Sequence, residues 1–217
     1  MRRPPQEKYS LLFEAAKRSL FAGRIIADRL TQELMALQQD IHSNTDIGER
    51  AIPPLITAAA FVDFCHRFGS VVDAMPLVNK KSAAIRALRE ALKNVEIARN
   101  HLQHMRNDLS SNEPIDYPIL GSVSWVDDGC CYSICASQPA AAEYFSIAYN
   151  TQANEWETTC QYTVKRISID VPDTLKQMNR TYDWLVSIST FSDPSVAELR
   201  WGQTSALAMR MNIANGP

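Results

Sequence analysis

Apolar residues recur at helical spacing through most of the first 110 residues of the chain. From about residue 7 to residue 41 this spacing predicts one long helix, and residues 42–45 read as a polar connection. This is the first long helix of the chain. Its apolar positions are Leu11, Leu12, Ala15, Ala16, Leu20, Ile25, Ile26, Leu30, Leu34 and Leu37.

Two further helical segments are predicted before residue 111. In the first, Pro53 and Pro54 mark a helix start or restart, and Pro76 stops the apolar pattern. The second spans about residues 80–110, has Ser82 among its candidate N-caps and contains neither proline nor glycine. Three long helices with short connections favour an antiparallel bundle.

Beyond residue 114 the pattern changes to short runs of β-branched and aromatic residues. These runs predict about four strands, most simply an antiparallel meander, within residues 118–170. The dipeptide Asp128-Gly129 between the first two runs is a hairpin signal. The runs are 123–126, 131–134, 144–149 and 159–169.

Two helices are predicted after the strands, one from Pro172 to about residue 188 and one over residues 194–211. The expected fold is therefore mainly α, with a small antiparallel β-sheet inserted into an antiparallel helical bundle. We assign residues 1–217 to a single domain. Within it the bundle comprises residues 7–111 and 171–211, and the β insertion comprises residues 118–170.

Composition narrows the classes of partner. The chain has 217 residues, a net charge of −2 and a pI near 6.1, so any contact with RNA must be local rather than spread over a basic surface. No run reaches about 18 uninterrupted apolar residues, so we expect no membrane span. Five cysteines without a compact disulfide framework or a preceding secretory signal predict a reducing, cytoplasmic location.

One segment concentrates the candidate chemistry. Residues 99–104 read Arg-Asn-His-Leu-Gln-His, near the end of the predicted helix over residues 80–110. Arginine is charged at any physiological pH and can bind a phosphate through two hydrogen bonds, and histidine can gain or lose a proton near neutral pH. The pattern favours work on phosphodiesters, with Arg99 and His104 as catalytic candidates. Substrate-binding candidates are Asn100, His101 and Arg106.

Helical geometry limits this assignment, because Arg99 and His104 project about 140° apart on a regular helix. They can act together only if the helix is irregular there, or if a symmetric dimer brings the segment of one chain against its mate. In either case Arg99 would stabilise the phosphate charge, and His104 would act as a general base or acid. Because RNA itself supplies the attacking hydroxyl, no metal or other cofactor is expected.

The segment from Arg99 to His104 resembles the Arg-x(4–6)-His signature of the HEPN superfamily (higher eukaryotes and prokaryotes nucleotide-binding), often written with Asn after the arginine. The resemblance implies a helical bundle that forms a homodimer, with both motifs lining an interfacial cleft. It also implies RNA as substrate and a cognate antitoxin or another protein as partner, in toxin–antitoxin or antiphage systems.

Two hypotheses of different classes follow. The first is a HEPN-like, metal-independent endoribonuclease that cleaves RNA by 2′-hydroxyl attack at a dimer-interface cleft. The alternative is a non-catalytic HEPN-like binding or scaffolding protein whose β insertion contacts a partner. Convergence of Arg99 and His104 on one concave site would favour the enzyme.

Overall fold

The computed structural model describes residues 5–43, 46–110, 117–135 and 147–189, without the side chains of residues 5, 6 and 106–109. Within these ranges there are four α-helices, with a short 3-10 turn, Gly48–Ala51, before the second. The helices predicted over residues 7–41, 80–110 and 172–188 are confirmed to within a few residues, whereas the one predicted over residues 194–211 lies outside the described ranges. The helices are α1 Pro5–His42, α2 Ile52–Ala74, α3 Ala83–Leu109 and α4 Val171–Ser189.

Local sequence signals account for where the helices begin. Pro53 lies in the first turn of α2, where its missing N–H leaves no hydrogen bond unmade. The Ser82 hydroxyl accepts the N–H of Ile85 at 3.4 Å, which caps α3. At α4 the Asp170 carboxylate accepts the N–H of Asp173 at 2.7 Å. Side-chain caps therefore mark α3 and α4, while proline marks α2.

The helices form an antiparallel four-helix arrangement. Each helix contacts the next along the chain, and α4 also packs on α1. Hydrogen bonds from Arg24 to Asn179, 2.8 Å from Nε, and between the hydroxyls of Tyr9 and Ser189 show that α1 and α4 run in opposite directions. The pair α1–α4 therefore lies opposite the pair α2–α3.

The strands form a four-stranded antiparallel sheet in the order β2-β1-β5-β6, and a separate two-stranded hairpin of β3 and β4. The predicted strands over residues 123–126 and 131–134 are confirmed as β1 and β2. Their turn has positive φ at both Asp128 (47°) and Gly129 (74°), as a tight two-residue hairpin requires. The strands are β1 Ser122–Asp127, β2 Cys130–Cys135, β3 Tyr149–Asn150, β4 Glu155–Trp156, β5 Cys160–Val164 and β6 Ile167–Asp170.

Two details of the β prediction were wrong. Residues 159–169 form not one strand but the hairpin of β5 and β6, and the chain reverses at Lys165, whose φ is 58°. No glycine, asparagine or proline marks this turn, so the sequence lacked its usual signal. In addition, β5 pairs with β1 rather than with its predecessor, so the sheet is not a simple meander. The predicted run over residues 144–149 lies mostly outside the described ranges.

Helices and sheet share one hydrophobic core. Val123, Tyr162 and Ile169 from the sheet belong to the same buried cluster as Phe61 and Leu185 from the helices. At the edge, the Asn94 amide of α3 donates to the carbonyl oxygen of Ser168 in β6 at 2.8 Å. The sheet therefore packs against the bundle, and the described fold is mainly α with a small antiparallel sheet.

One described segment, Gly48–Ala74, is long and apolar enough to cross a bilayer, with a mean hydropathy of 1.3. A core helix meets the same criteria of length and composition, and α2 packs against both α1 and α3. This segment therefore carries little weight as a membrane signature.

Candidate functional site

The predicted motif lies on a helix without interruption. α3 is continuous α-helix from Ala83 to Leu109, so the irregular-helix route to an Arg99–His104 site is wrong for the single chain. Asn100 and His104 are exposed, His101 is half-buried, and Arg99 retains 26% of its side-chain surface. The side chain of Arg106 is outside the described set.

Arg99 faces α2. Its Nε lies 3.5 Å from Oδ1 of Asp63. The other oxygen of Asp63, Oδ2, accepts a hydrogen bond from Nε of Arg67 at 2.8 Å. The two arginines thus share one carboxylate, and the bond from Arg99 is the longer one. A long charge-assisted bond is a weak one, so the contact with Asp63 satisfies Arg99 only in part.

His66, on α2, is the histidine that Arg99 influences. Burial lowers the pKa of His66, the charge of Arg99 lowers it further, and Glu96 and Asp63 act in the opposite direction. The neutral imidazole is therefore favoured near neutral pH, and its Nε2 lies 3.3 Å from the Ser70 hydroxyl. A neutral imidazole is the form that can accept a proton.

A groove of about 340 Å³ follows the contact between α2 and α3. Its floor is formed by Leu88, Leu92 and Gly69, and its polar lining by His66, Ser70, Asp73, Arg89 and Glu96. A Cβ at Gly69 would lie 2.6 Å from Leu92 Cδ1, so the missing side chain permits this close helix contact. The groove has an apolar floor and a polar rim.

Charges along this groove are locally compensated. Arg89 donates to Asp73 at 2.8 Å, and Lys80 donates to the carbonyl oxygen of Val72 at 2.6 Å. Burial lowers the pKa of Lys80, while the nearby Asp73 carboxylate opposes this effect. Arg89 is the lysine or arginine among the described lining residues, and it is paired with Asp73, so this lining presents no uncompensated cationic surface.

Asn100 and His104 share the outer face of α3. Together with Lys93 and Ile97 they fall within about 60° of one another around the helix axis. All four are exposed, and Ile97 retains 44% of its surface. His104 and Arg99 therefore occupy different faces of the same helix, as the arithmetic of a regular helix predicts.

His101 lies on yet another side. Its ring packs edge-on against Tyr117, with ring centres 5.4 Å apart, on the flank of α3 that faces the strands. Arg99 therefore points toward α2, and His101 points toward the ring of Tyr117. Asn100 and His104 point outward. Within one chain these candidates do not converge.

The sequence did contain a signal for His66. Asp63, His66, Arg67, Ser70 and Asp73 recur at spacings of three and four along an otherwise apolar helix, which is typical of a single polar face. That pattern predicts the polar rim of the groove. The partnership with Arg99 depends on the packing of α2 against α3.

The cysteine run in β2 shows no metal centre. Cys130 is exposed, and Cys131 and Cys135 are half-buried. Among the described residues, no group of three or more histidine, cysteine, aspartate or glutamate side chains is placed to hold a metal ion.

Comparison of the chain with protein-family models, curated proteins and solved structures found no match.

Proposed function

We propose that the chain is a HEPN-like, metal-independent endoribonuclease that acts as a homodimer in the cytoplasm. Arg99 of one protomer and His104 of its partner would form each composite active site. One observation carries the proposal: His104 is exposed and Arg99 keeps 26% of its side-chain surface, yet a continuous helix directs them to different faces. A two-fold arrangement is then the remaining way to bring them together.

In this reaction His104 accepts the proton of a ribose 2′-hydroxyl, and the 2′-oxygen attacks the adjacent phosphorus. The bond from phosphorus to the 5′-oxygen breaks, and solvent protonates the leaving oxygen. Arg99 stabilises the charge that develops on the phosphoryl oxygens. The products are a 2′,3′-cyclic phosphate and a 5′-hydroxyl.

Substrate binding must compete with Asp63 for Arg99. The 3.5 Å contact uses Nε only, whereas a phosphate can accept two parallel bonds from a guanidinium. Arg67 continues to neutralise Asp63 through bonds of 2.7 and 2.8 Å after Arg99 leaves. Asn100, on the same face as His104, would orient the RNA or the imidazole.

RNA cleavage in EDTA tests the proposal. We expect Arg99→Ala and His104→Ala each to lower the cleavage rate by roughly 10² to 10⁴-fold, with cyclic phosphate ends on the wild-type products. His42→Ala is the matched control, since His42 lies at the end of α1 and bonds to Tyr132. Equal activity in all four proteins would contradict the proposal and indicate a contaminant.

Mixing the two inactive variants tests whether the site is composite. A heterodimer of Arg99→Ala and His104→Ala retains one intact pair, with the arginine from one chain and the histidine from the other. An equimolar mixture should therefore recover roughly a quarter of wild-type activity, because half of the dimers carry one of two sites. No recovery would contradict the two-fold arrangement, and loss of activity in His66→Ala instead would assign the base to the groove.

A second candidate function is non-catalytic binding or scaffolding. It is favoured by the shared carboxylate Asp63, which already compensates Arg99 together with Arg67. If the protein only binds or scaffolds a partner, His104→Ala should bind the partner or RNA as the wild type does, and no variant should cleave RNA. Binding assays run beside the cleavage assay separate the two functions.

A further inference from the structure

A second concave region lies on the other side of the bundle from the α2–α3 groove. It is a cavity of about 290 Å³ between α1, the first residues of α4, and strands β1 and β5. Its size is at the lower end of the range for small-molecule pockets. Its apolar walls include Ala27, Leu30, Leu34, Trp125, Val171 and Leu175.

A buried hydrogen-bond chain fixes one wall of the cavity. The indole N–H of Trp125 donates to Gln38 Oε1 at 3.1 Å, and Gln38 Nε2 donates to Asp127 Oδ2 at 2.7 Å. Gln38 and Trp125 are both buried, so this chain holds the indole and the carboxylate in place. The cavity is consequently preorganised rather than formed by movable side chains.

The ionisable groups that line the cavity favour one sign of charge. Asp28 and Asp127 both belong to its lining, and no lysine, arginine or histidine does among the described residues. Asp170, the N-cap of α4, lies close enough to Cys160 in the cavity wall to act on its thiol. A cation is therefore attracted to this site, and an anion such as RNA phosphate is repelled.

Cys160 does not add covalent chemistry to this cavity. Burial raises the pKa of its thiol to about 12, and the Asp170 carboxylate contributes to the rise. The thiol is therefore protonated near neutral pH, and a protonated thiol is a poor nucleophile. Cys160 acts as a neutral part of the wall.

We propose that this cavity is a binding site for a small organic cation with an apolar body, such as an aromatic amine. The apolar part would contact Leu30, Leu34 and Trp125, and the cationic head would bind the carboxylate of Asp127. Asp28, ten residues before the Gln38 that bonds to Asp127, would add negative charge farther along the lining. The site is independent of Arg99 and His104, so it does not rest on the proposed ribonuclease activity.

Three probes of similar size test the charge preference. Phenethylamine, 2-phenylethanol and 3-phenylpropanoate share a benzene ring and differ in carrying a positive, neutral or negative head. We expect calorimetry on the full chain to give a dissociation constant for the amine at least about tenfold below that of the alcohol, with the carboxylate weakest. Quenching of Trp125 fluorescence should follow the same order and disappear in Trp125→Phe.

Variants then assign the binding to the cavity. Asp127→Asn, alone or with Asp28→Asn, should bring the amine close to the affinity of the alcohol, whereas Asp183→Asn on the exposed face of α4 should not. Thr31→Phe, at an exposed position in the cavity lining, should fill the site and abolish binding of both, with an unchanged circular dichroism spectrum as the check on folding.

Any of the following results would overturn the proposal: no binding of any probe, equal binding of the carboxylate and the amine, unchanged amine binding in Thr31→Phe, or an amine preference that survives loss of both carboxylates. Binding of a lysine-containing peptide without binding of phenethylamine would also overturn it, in favour of a protein partner.

Discussion

The α2–α3 groove and the cavity beside α1 and α4 are built on opposite helix pairs and arrange charge in opposite ways. In the groove, the lining residue Arg89 pairs with Asp73, and Arg99 pairs with Asp63 nearby on the same two helices. In the cavity, Asp28 and Asp127 line an apolar space, and none of the described lining residues is basic. Concave shape alone therefore does not define a ligand, because the cation of the groove is already paired, whereas the described charges that line the cavity share one sign.

The largest effect that separates the two regions is expected at Gln38. Gln38→Ala removes both bonds of the buried chain and leaves the Trp125 N–H without this acceptor. We expect the free energy of unfolding to fall by about 1–3 kcal/mol, measured by urea denaturation. Gln39→Ala, at the next and exposed position of α1, is the control and should change stability little. A similar loss of unfolding free energy in both variants would show that the hydrogen bonds of Gln38 do not stabilise the cavity wall.

Helical glycines test how closely each helix pair packs. Gly69→Ala places a Cβ 2.6 Å from Leu92 Cδ1, whereas Gly23→Ala in α1 places one 3.6 Å from Met178 Cε, an ordinary contact. Alanine favours a helix by about 1 kcal/mol over glycine, so Gly23→Ala should stabilise the protein by about that amount. Gly69→Ala should gain nothing or lose about 1 kcal/mol, because overpacking offsets the gain. Equal increases in melting temperature for the two variants would show that the Leu92 side chain can move away from the new Cβ at little cost.

The pKa of His66 measures how Arg99 couples to the groove. Arg99→Ala should raise this pKa, because it removes a positive charge, and Glu96→Gln should lower it, because it removes a negative one. NMR titration of the His66 ring protons reads both shifts, and Arg86→Ala on the outer face of α3 is the control. No shift in Arg99→Ala would place the guanidinium away from the imidazole in solution.

The same lowered pKa links His66 to acid stability. The unfolded chain binds a proton at His66 more readily than the folded chain, so stability is full above about pH 6.5 and falls as the pH drops below it toward the folded-state pKa. His66→Gln should flatten this part of the pH dependence. Urea unfolding between about pH 7.5 and pH 5.5 provides the comparison.

The smallest effect is expected at Arg67. Its bond to Asp63 is short, 2.7 Å, but 62% of its side-chain surface is exposed, and exposed pairs four residues apart on a helix contribute little. Arg67→Ala should lower the free energy of unfolding by less than about 0.5 kcal/mol. A larger loss would mean that the shared carboxylate acts as one network with Arg99, which Asp63→Asn would then reproduce.

The sequence by itself determined the four described helices. Apolar residues at helical spacing predicted where α1 lies, Ser82 marked the start of α3, and Asp128-Gly129 specified the hairpin of β1 and β2. These features depend on neighbours in the chain, so local spacing is sufficient to predict them. The turn at Lys165 was missed because no residue there has an intrinsic preference for positive φ.

The angle between Arg99 and His104 was also predictable, since it follows from the helical repeat alone. The groups that these two residues contact were not predictable from the sequence. The contact of Arg99 with Asp63, its effect on His66 and the bond from Trp125 to Gln38 join residues far apart in the chain. Only the packing of α3 on α2, and of β1 on α1, brings these groups within reach of one another. The sequence therefore determined which chemical groups are present and the direction each takes from its own helix, and the tertiary structure decided their partners.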